Sequence, residues 1–100
     1  MSEIVALQRP SAGVAVLTMT NSSISNFGSF EAVDQLAAQM TEAREGGARI
    51  VVLASGLEDH WYDHAWLTDL QAMFKGEKTT GTGAGWFRAL QEMARPEVVY

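Results

Sequence analysis

Two histidines and two aspartates lie close together in the middle of the chain, where they could bind a metal ion or transfer protons. Asp59 and His60 are followed by Asp63 and His64, which places the histidines four residues apart. On a helix this spacing brings two imidazoles to one face, where they could share a metal ion. No third ligand with suitable spacing accompanies them, so we predict no metal site. We expect instead that Asp63 caps a helix start and that His64 lies on the surface or lines a pocket.

The predicted elements on either side of His64 would hold it at a turn between a strand and a helix. The run from Arg49 to Ser55 lacks polar alternation and predicts a buried strand covered on both faces. A helix is predicted from about Ala65 to Phe74, ending at Lys75-Gly76. Backbone N–H groups at the start of such a helix can point into a pocket. At this position His64 could act as a general acid or base, because imidazole exchanges protons near neutral pH.

The first half of the chain predicts a hairpin followed by a helix. Ile4–Gln8 and Val14–Thr20 are β-rich runs, and the segment between them contains Pro10 and Gly13, which suit a turn. Ser29 is a suitable N-cap, and Gly46-Gly47 would stop the helix. The residues predicted to form its apolar face are Phe30, Val33, Leu36, Ala37 and Met40.

The last quarter of the chain predicts a loop and a third helix. Residues 77–85 are polar and rich in glycine, and we predict a loop that flanks a substrate pocket. A phosphate cradle is disfavoured because no strand precedes the loop and no Lys-Ser/Thr pair follows it. The third helix is predicted over Trp86–Ala94, and Phe87, Leu90 and Met93 are expected to face inward. Pro96–Tyr100 reads as the start of a strand, so we expect the chain to belong to a longer protein.

Composition limits the classes of partner. The chain has 100 residues, a formal net charge of −5, seven scattered basic residues and no cysteine. Nucleic acid is disfavoured because binding phosphates needs clustered Lys and Arg, and thiolate chemistry is excluded. No apolar run reaches the roughly 18 residues of a membrane span, and the amino end lacks a signal pattern. We therefore expect a soluble, cytoplasmic protein with no membrane partner.

The order of these elements resembles the amino-terminal part of the crotonase superfamily, the enoyl-CoA hydratase/isomerase group. Val14–Met19 leads through a polar linker to Asn26 and a helix, and Ile50–Ala54, Gly56 and Arg95–Val99 fit the same template. The resemblance implies an α/β fold of ββα units. It also implies that residues 1–100 are the amino-terminal portion of a crotonase-like domain, somewhat under half of it.

The resemblance implies a site around the turn after the buried strand. The family motif matches residues 61–67, and its Ala, which matches Ala65, contributes a backbone N–H to an oxyanion hole. His64 and Trp66 stand where the family usually has Gly and Asp. Trp61, Tyr62, Trp66 and Asn26 are the expected substrate-binding residues. The second oxyanion donor and the catalytic carboxylates are expected beyond Tyr100.

By this resemblance the protein is expected to be a hydratase- or isomerase-like lyase of fatty acid metabolism. It would act on an acyl-CoA thioester by enolate stabilisation, with coenzyme A as part of the substrate and no separate cofactor. A homo-oligomer, a trimer or a hexamer, is expected. One alternative is a coenzyme A-independent hydrolase that cleaves a C–C bond of a diketone, with His64 near the chemistry. Another is a non-catalytic fragment or interaction protein whose strand at Val98–Tyr100 pairs with another chain.

Overall fold

A computed structural model describes residues 3–100 and has the predicted α/β architecture, with a three-stranded sheet, one long helix between its second and third strands and two shorter helices after the third. No helix in this part of the chain is both long and apolar enough to cross a membrane. The elements are β1 (Val5–Ser11), β2 (Val14–Met19), α1 (Phe30–Glu45), β3 (Ile50–Ser55), α2 (Leu67–Phe74) and α3 (Gly85–Met93).

β1 and β2 form the predicted antiparallel hairpin. β1 extends through Pro10 to Ser11, further than the sequence predicted, and the register shifts between Gln8 and Ser11. Pro10 is tolerated because β1 is an edge strand and needs no N–H donor on its open side. The turn is therefore confined to Ala12 and Gly13, and Gly13 has the positive φ of 76° that favours glycine.

α1 follows the sequence prediction closely. Its N-cap is Ser29, whose Oγ accepts a hydrogen bond from the Ala32 N–H at 3.1 Å. The helix ends at Glu45, directly before Gly46. The five apolar residues predicted to form its inner face, namely Phe30, Val33, Leu36, Ala37 and Met40, are all buried. Leu36, Ala37 and Met40 join the hairpin in the core of the described chain, whereas Phe30 lines a cavity and Val33 lies beside Gly85.

β3 pairs in parallel with β2, so β2 is the central strand. The prediction that β3 is covered on both faces is wrong for the described chain, because Ile50 and Val52 are 48% and 45% exposed while Val51 is buried. α1 covers one face of the sheet, and in residues 3–100 no helix or strand buries the other face of β3. The predicted strand start near the end of the chain does pair with β3: the Val51 N–H donates to the Val99 carbonyl at 2.8 Å.

α3 packs on α1 through a different face from the one predicted. Its buried residues are Gly85, Ala89 and Glu92, whereas the three residues expected to face inward, namely Phe87, Leu90 and Met93, are exposed. Small residues allow the two helix backbones to approach closely, and a Cβ added to Gly85 would collide with the Val33 carbonyl oxygen. The face of α3 that packs on α1 is therefore the one with the smaller side chains, and the large apolar residues of α3 point away from α1.

An ion pair joins α3 to α1. Glu92 is buried, and its carboxylate accepts hydrogen bonds from Arg44 Nε at 2.9 Å and from the Thr41 hydroxyl at 3.0 Å. The hydrogen bond from Arg44 is the main reason that the pKa of Glu92 lies below its ordinary value. A charged residue on the inner face of α3 is thus satisfied by partners on α1.

Candidate functional site

The backbone around Ala65 is held by a short parallel bridge to Gly28. The Gly28 N–H donates to the His64 carbonyl at 2.9 Å, and the Trp66 N–H donates to the Gly28 carbonyl at 3.2 Å. In such a bridge the middle residue directs its own N–H to the opposite side. Within residues 3–100 the Ala65 N–H has no hydrogen-bond partner. The fold thus fixes Ala65 and leaves one backbone donor free.

A large apolar cavity of about 720 Å³ lies beside Ala65. It is lined by His64 and Ala65, by Leu70 and Met73 of α2, by Trp86 and Phe87 of α3, by Phe30, and by the loop residues Thr82, Gly83 and Ala84. The glycine-rich loop therefore flanks a pocket, as predicted. Since most of these walls are apolar, a hydrogen bond made here is less weakened by water than one made at the open surface.

The loop is held beside the cavity by a close contact between Gly83 and Phe30 and by hydrogen bonds to Asp34 of α1. A Cβ on Gly83 would lie 2.8 Å from Cε1 of Phe30, and Gly83 has a φ of 79°. The Asp34 carboxylate accepts hydrogen bonds from the Thr82 and Gly85 N–H groups, each at 2.9 Å. Asp34 therefore holds both the loop and the first turn of α3 in place.

His64 lies on the cavity wall with one ring nitrogen engaged. Its Nδ1 lies 2.9 Å from the Ala65 carbonyl oxygen, which can only accept, so Nδ1 carries the proton. In the neutral ring Nε2 then has a free lone pair, and it lies 3.9 Å from the Asp63 carboxylate. Phe27 packs edge-on against the imidazole, with ring centroids 4.8 Å apart. This tautomer is the one that a general base at Nε2 requires.

Asp63 does not cap α2, contrary to the prediction. α2 begins at Leu67 after the N-cap Trp66, which makes no side-chain capping bond. The Asp63 carboxylate instead accepts a hydrogen bond from the His64 N–H at 2.8 Å, because the chain runs extended through the Gly28 bridge before the helix begins. Residues 3–100 contain no group of three or more His, Asp or Glu residues that could hold a metal ion.

The three aromatic residues predicted to bind substrate do not line this cavity. Trp61 stacks on Tyr62 with ring centroids 4.5 Å apart, and Trp61 is more than half exposed. The Tyr62 hydroxyl donates to the Leu17 carbonyl at 3.2 Å, and burial raises the pKa of Tyr62 to about 12. Trp66 packs against Phe27 at 5.3 Å and borders a separate polar cleft. Their contact with substrate stays a prediction.

Asn26, the fourth predicted substrate-binding residue, is completely buried. Its Oδ1 accepts from the Asn21 N–H at 2.7 Å, and its Nδ2 donates to the Met19 carbonyl and to Ser55 Oγ at 2.9 Å. Its backbone carbonyl accepts from the Asp63 N–H. Asn26 therefore ties the ends of β2 and β3 to the segment that carries Ala65, and it does not line the large cavity.

Several wall residues were not identified as site residues from the sequence. Phe30 fits the core face of α1, and Leu70 and Met73 fit an ordinary amphipathic helix. Among these wall residues, Trp86 could have been identified from the sequence, because an aromatic residue directly after a glycine-rich loop could line an acyl pocket. Apolar periodicity alone does not distinguish a pocket wall from a core.

No family model and no curated protein sequence matches the chain. The fold is similar to that of several solved enzymes. The ECH2 decarboxylase domain of CurF from Lyngbya majuscula is 21% identical, with a TM-score of 0.64 over 88% of this chain and 35% of that one. An enoyl-CoA hydratase/isomerase from Marinobacter aquaeolei is 16% identical, with a TM-score of 0.62 over 92% of this chain and 34% of that one.

A third similar structure comes from a dehydratase/decarboxylase enzyme couple involved in polyketide β-branching. It is 17% identical, with a TM-score of 0.68 over 88% of this chain and 36% of that one. The chain thus spans about a third of the length of the solved structures that it matches. At these identities the likeness concerns the fold, and the described chain has the crotonase-like α/β fold that its sequence predicted.

Proposed function

We propose that this chain forms part of a crotonase-like enzyme that acts on an acyl-CoA thioester or a related carbonyl compound. The Ala65 N–H would donate a hydrogen bond to the carbonyl oxygen of the substrate. The observation that supports this role is the free Ala65 N–H beside a large apolar cavity. The similarity to enoyl-CoA hydratase/isomerase and decarboxylase folds supports the reaction class.

The proposed chemistry is stabilisation of an enolate. When a base removes a proton next to the thioester carbonyl, or when carbon dioxide leaves from that carbon, negative charge develops on the carbonyl oxygen. A fixed N–H in an apolar site stabilises this charge without having to reorient, and loss of one such donor typically slows catalysis by about 10²–10³-fold. The bridge between Ala65 and Gly28 supplies this rigidity. The family resemblance implies a second N–H donor.

The proposal is tested by NMR titration of the ¹⁵N-labelled chain with an acyl-CoA thioester. The matched ligand control is the corresponding alkyl-CoA thioether, which has the same chain but lacks the carbonyl. We expect the Ala65 amide proton to move downfield with the thioester and to stay in place with the thioether. If both ligands bind and shift the Ala65 amide equally, the oxyanion role is wrong.

Substitution at Ala65 gives a second test of the donor. Ala65→Pro removes the N–H, whereas Ala65→Gly keeps it. Calorimetry should show thioester binding at least about tenfold weaker in the proline variant, the effect of losing about 1.4 kcal/mol, and nearly unchanged in the glycine variant. Circular dichroism must show that both variants fold, because proline also restricts His64. Equal binding by the two variants would contradict the role of the N–H.

A second candidate function is hydrolysis of a C–C bond in a diketone without coenzyme A. The free lone pair on Nε2 of His64 favours it, because a base on the cavity wall could activate water or remove a proton. This alternative predicts diketone cleavage that is lost in His64→Gln and no binding of the thioester. Binding of the thioester by both His64→Gln and the unmodified chain would favour the first proposal.

A further inference from the structure

The large cavity beside Ala65 has a smaller neighbour on the other side of Trp86. We call this smaller space the inner pocket. It has a volume of about 130 Å³, and its walls include Met19 at the end of β2, Leu36 of α1, and Gly28. Within residues 3–100, Trp86 is the wall residue that the two cavities share, so its indole ring separates them.

The indole of Trp86 lies directly against the backbone that fixes the Ala65 N–H. A Cβ added to Gly28 would lie 2.8 Å from Cζ2 of Trp86 and 3.2 Å from Cη2. The ring therefore occupies the space where a side chain at position 28 would stand. Gly28 is also the bridge partner of Ala65, so the indole is held close to the proposed hydrogen-bond donor.

Trp86 has little freedom to move aside. It lies in the first turn of α3, where its own N–H donates to the Gly83 carbonyl at 3.1 Å and the preceding Gly85 N–H donates to the Asp34 carboxylate at 2.9 Å. Its side chain is only 38% exposed, so most of the ring contacts protein. A ring packed in this way cannot make room for a bulky group without breaking these contacts.

We propose that Trp86 determines the specificity of this site by limiting the width of the acyl group next to the thioester carbonyl. The inference rests on the proposed function, in which the carbonyl oxygen accepts a hydrogen bond from the Ala65 N–H. The first carbons of the acyl group then lie beside Trp86. A straight chain passes the indole into the large cavity, whereas a ring attached directly to the carbonyl collides with it. The substrates of this site are therefore acyl compounds that are unbranched next to the carbonyl.

The test compares the binding of two thioesters by calorimetry, heptanoyl-CoA and cyclohexanecarbonyl-CoA. Their acyl groups have the same number of carbons, but the second carries a ring directly on the carbonyl. Trp86→Ala joins the inner pocket to the large cavity and creates room for this ring. Burial of one methylene corresponds to about fourfold in affinity, so about two ring methylenes in the opened space should raise the affinity for the ring compound, relative to the straight one, at least about tenfold.

The matched control is Phe87→Ala. Phe87 follows Trp86 in α3 and lines the large cavity, but it does not line the inner pocket. Its truncation should weaken both thioesters equally and leave the ratio of their affinities unchanged. Trp86→Leu removes less of the partition and should give a ratio between those of the unmodified chain and Trp86→Ala. It takes the place of Trp86→Ala if circular dichroism shows that the alanine variant does not fold.

The Ala65 amide is followed by NMR in the same titrations, which separates this inference from the proposed function. If the thioesters shift this amide but the ratio of affinities is the same in the unmodified chain and the Trp86 variants, the role of Trp86 is wrong and the proposed function stands. Tighter binding of the ring compound than of the straight one by the unmodified chain would also overturn the role of Trp86. If neither thioester shifts the Ala65 amide, the proposed function fails and this inference fails with it.

Discussion

The carboxylate of Asp34 should control both the stability of α3 and the shape of the cavity. It accepts the Thr82 N–H in an exposed position and the Gly85 N–H in a partly buried one. α3 has no capping side chain of its own, since its N-cap is Ala84. Asp34 therefore acts as an N-cap supplied by another helix, at the end where the helix dipole favours negative charge.

We expect Asp34→Ala to lower the free energy of unfolding by about 2–3 kcal/mol. A hydrogen bond to a charged group is worth about 1.5–3 kcal/mol when it is buried, and the exposed bond to Thr82 contributes less. Asp34→Asn keeps one acceptor oxygen and loses the charge, so it should cost about half as much. For a domain of this size the urea midpoint should fall by about 1–2 M in Asp34→Ala.

The assay is urea unfolding followed by circular dichroism, combined with amide hydrogen exchange. Exchange should accelerate at Thr82 and Gly85 in the alanine variant, while the amide of Ala32, which is capped by Ser29, should be unaffected beyond the global change. If Asp34→Ala lowers the free energy of unfolding by less than about 0.5 kcal/mol, it behaves like an ordinary surface substitution. The two hydrogen bonds to Asp34 would then not stabilise the loop. Equal effects of alanine and asparagine would refute the role of the remaining acceptor.

Two further changes test the packing between elements. Glu92→Gln should destabilise the chain at pH 7. Because the pKa of folded Glu92 is lowered, its stabilising effect is present above the ordinary value of 4.5 and is lost as the pH falls through the folded value. Urea unfolding at pH 7 and pH 3 should therefore show a smaller difference at pH 3, and an equal difference would contradict the ion pair. Leu17→Ala should cost about 2–5 kcal/mol because Leu17 is completely buried in the central strand. Leu17→Met, which nearly conserves volume, should lower the free energy of unfolding by less than about 1.5 kcal/mol. Equal losses of stability in Leu17→Ala and Leu17→Met would mean that the volume of the side chain at this position does not matter.

The sequence by itself determined the elements that depend on local interactions. The Ser29 cap, the apolar face of α1 and the Gly46 stop predicted α1 almost to the residue. The β-rich runs predicted the hairpin and β3, and the order of elements indicated the crotonase-like fold. These signals are local because capping and periodicity act within a few residues along the chain.

The tertiary structure alone decided which surfaces meet. The apolar stripe of α3 predicted that Phe87 and Leu90 face inward, yet α3 packs through Gly85, because the close approach to α1 accepts only a small residue. Apolar periodicity indicates that a helix has an apolar and a polar face, but it does not indicate which face packs against another element. The free N–H of Ala65 likewise depends on its pairing with Gly28, a contact 37 positions apart in the chain, and no local pattern encodes it.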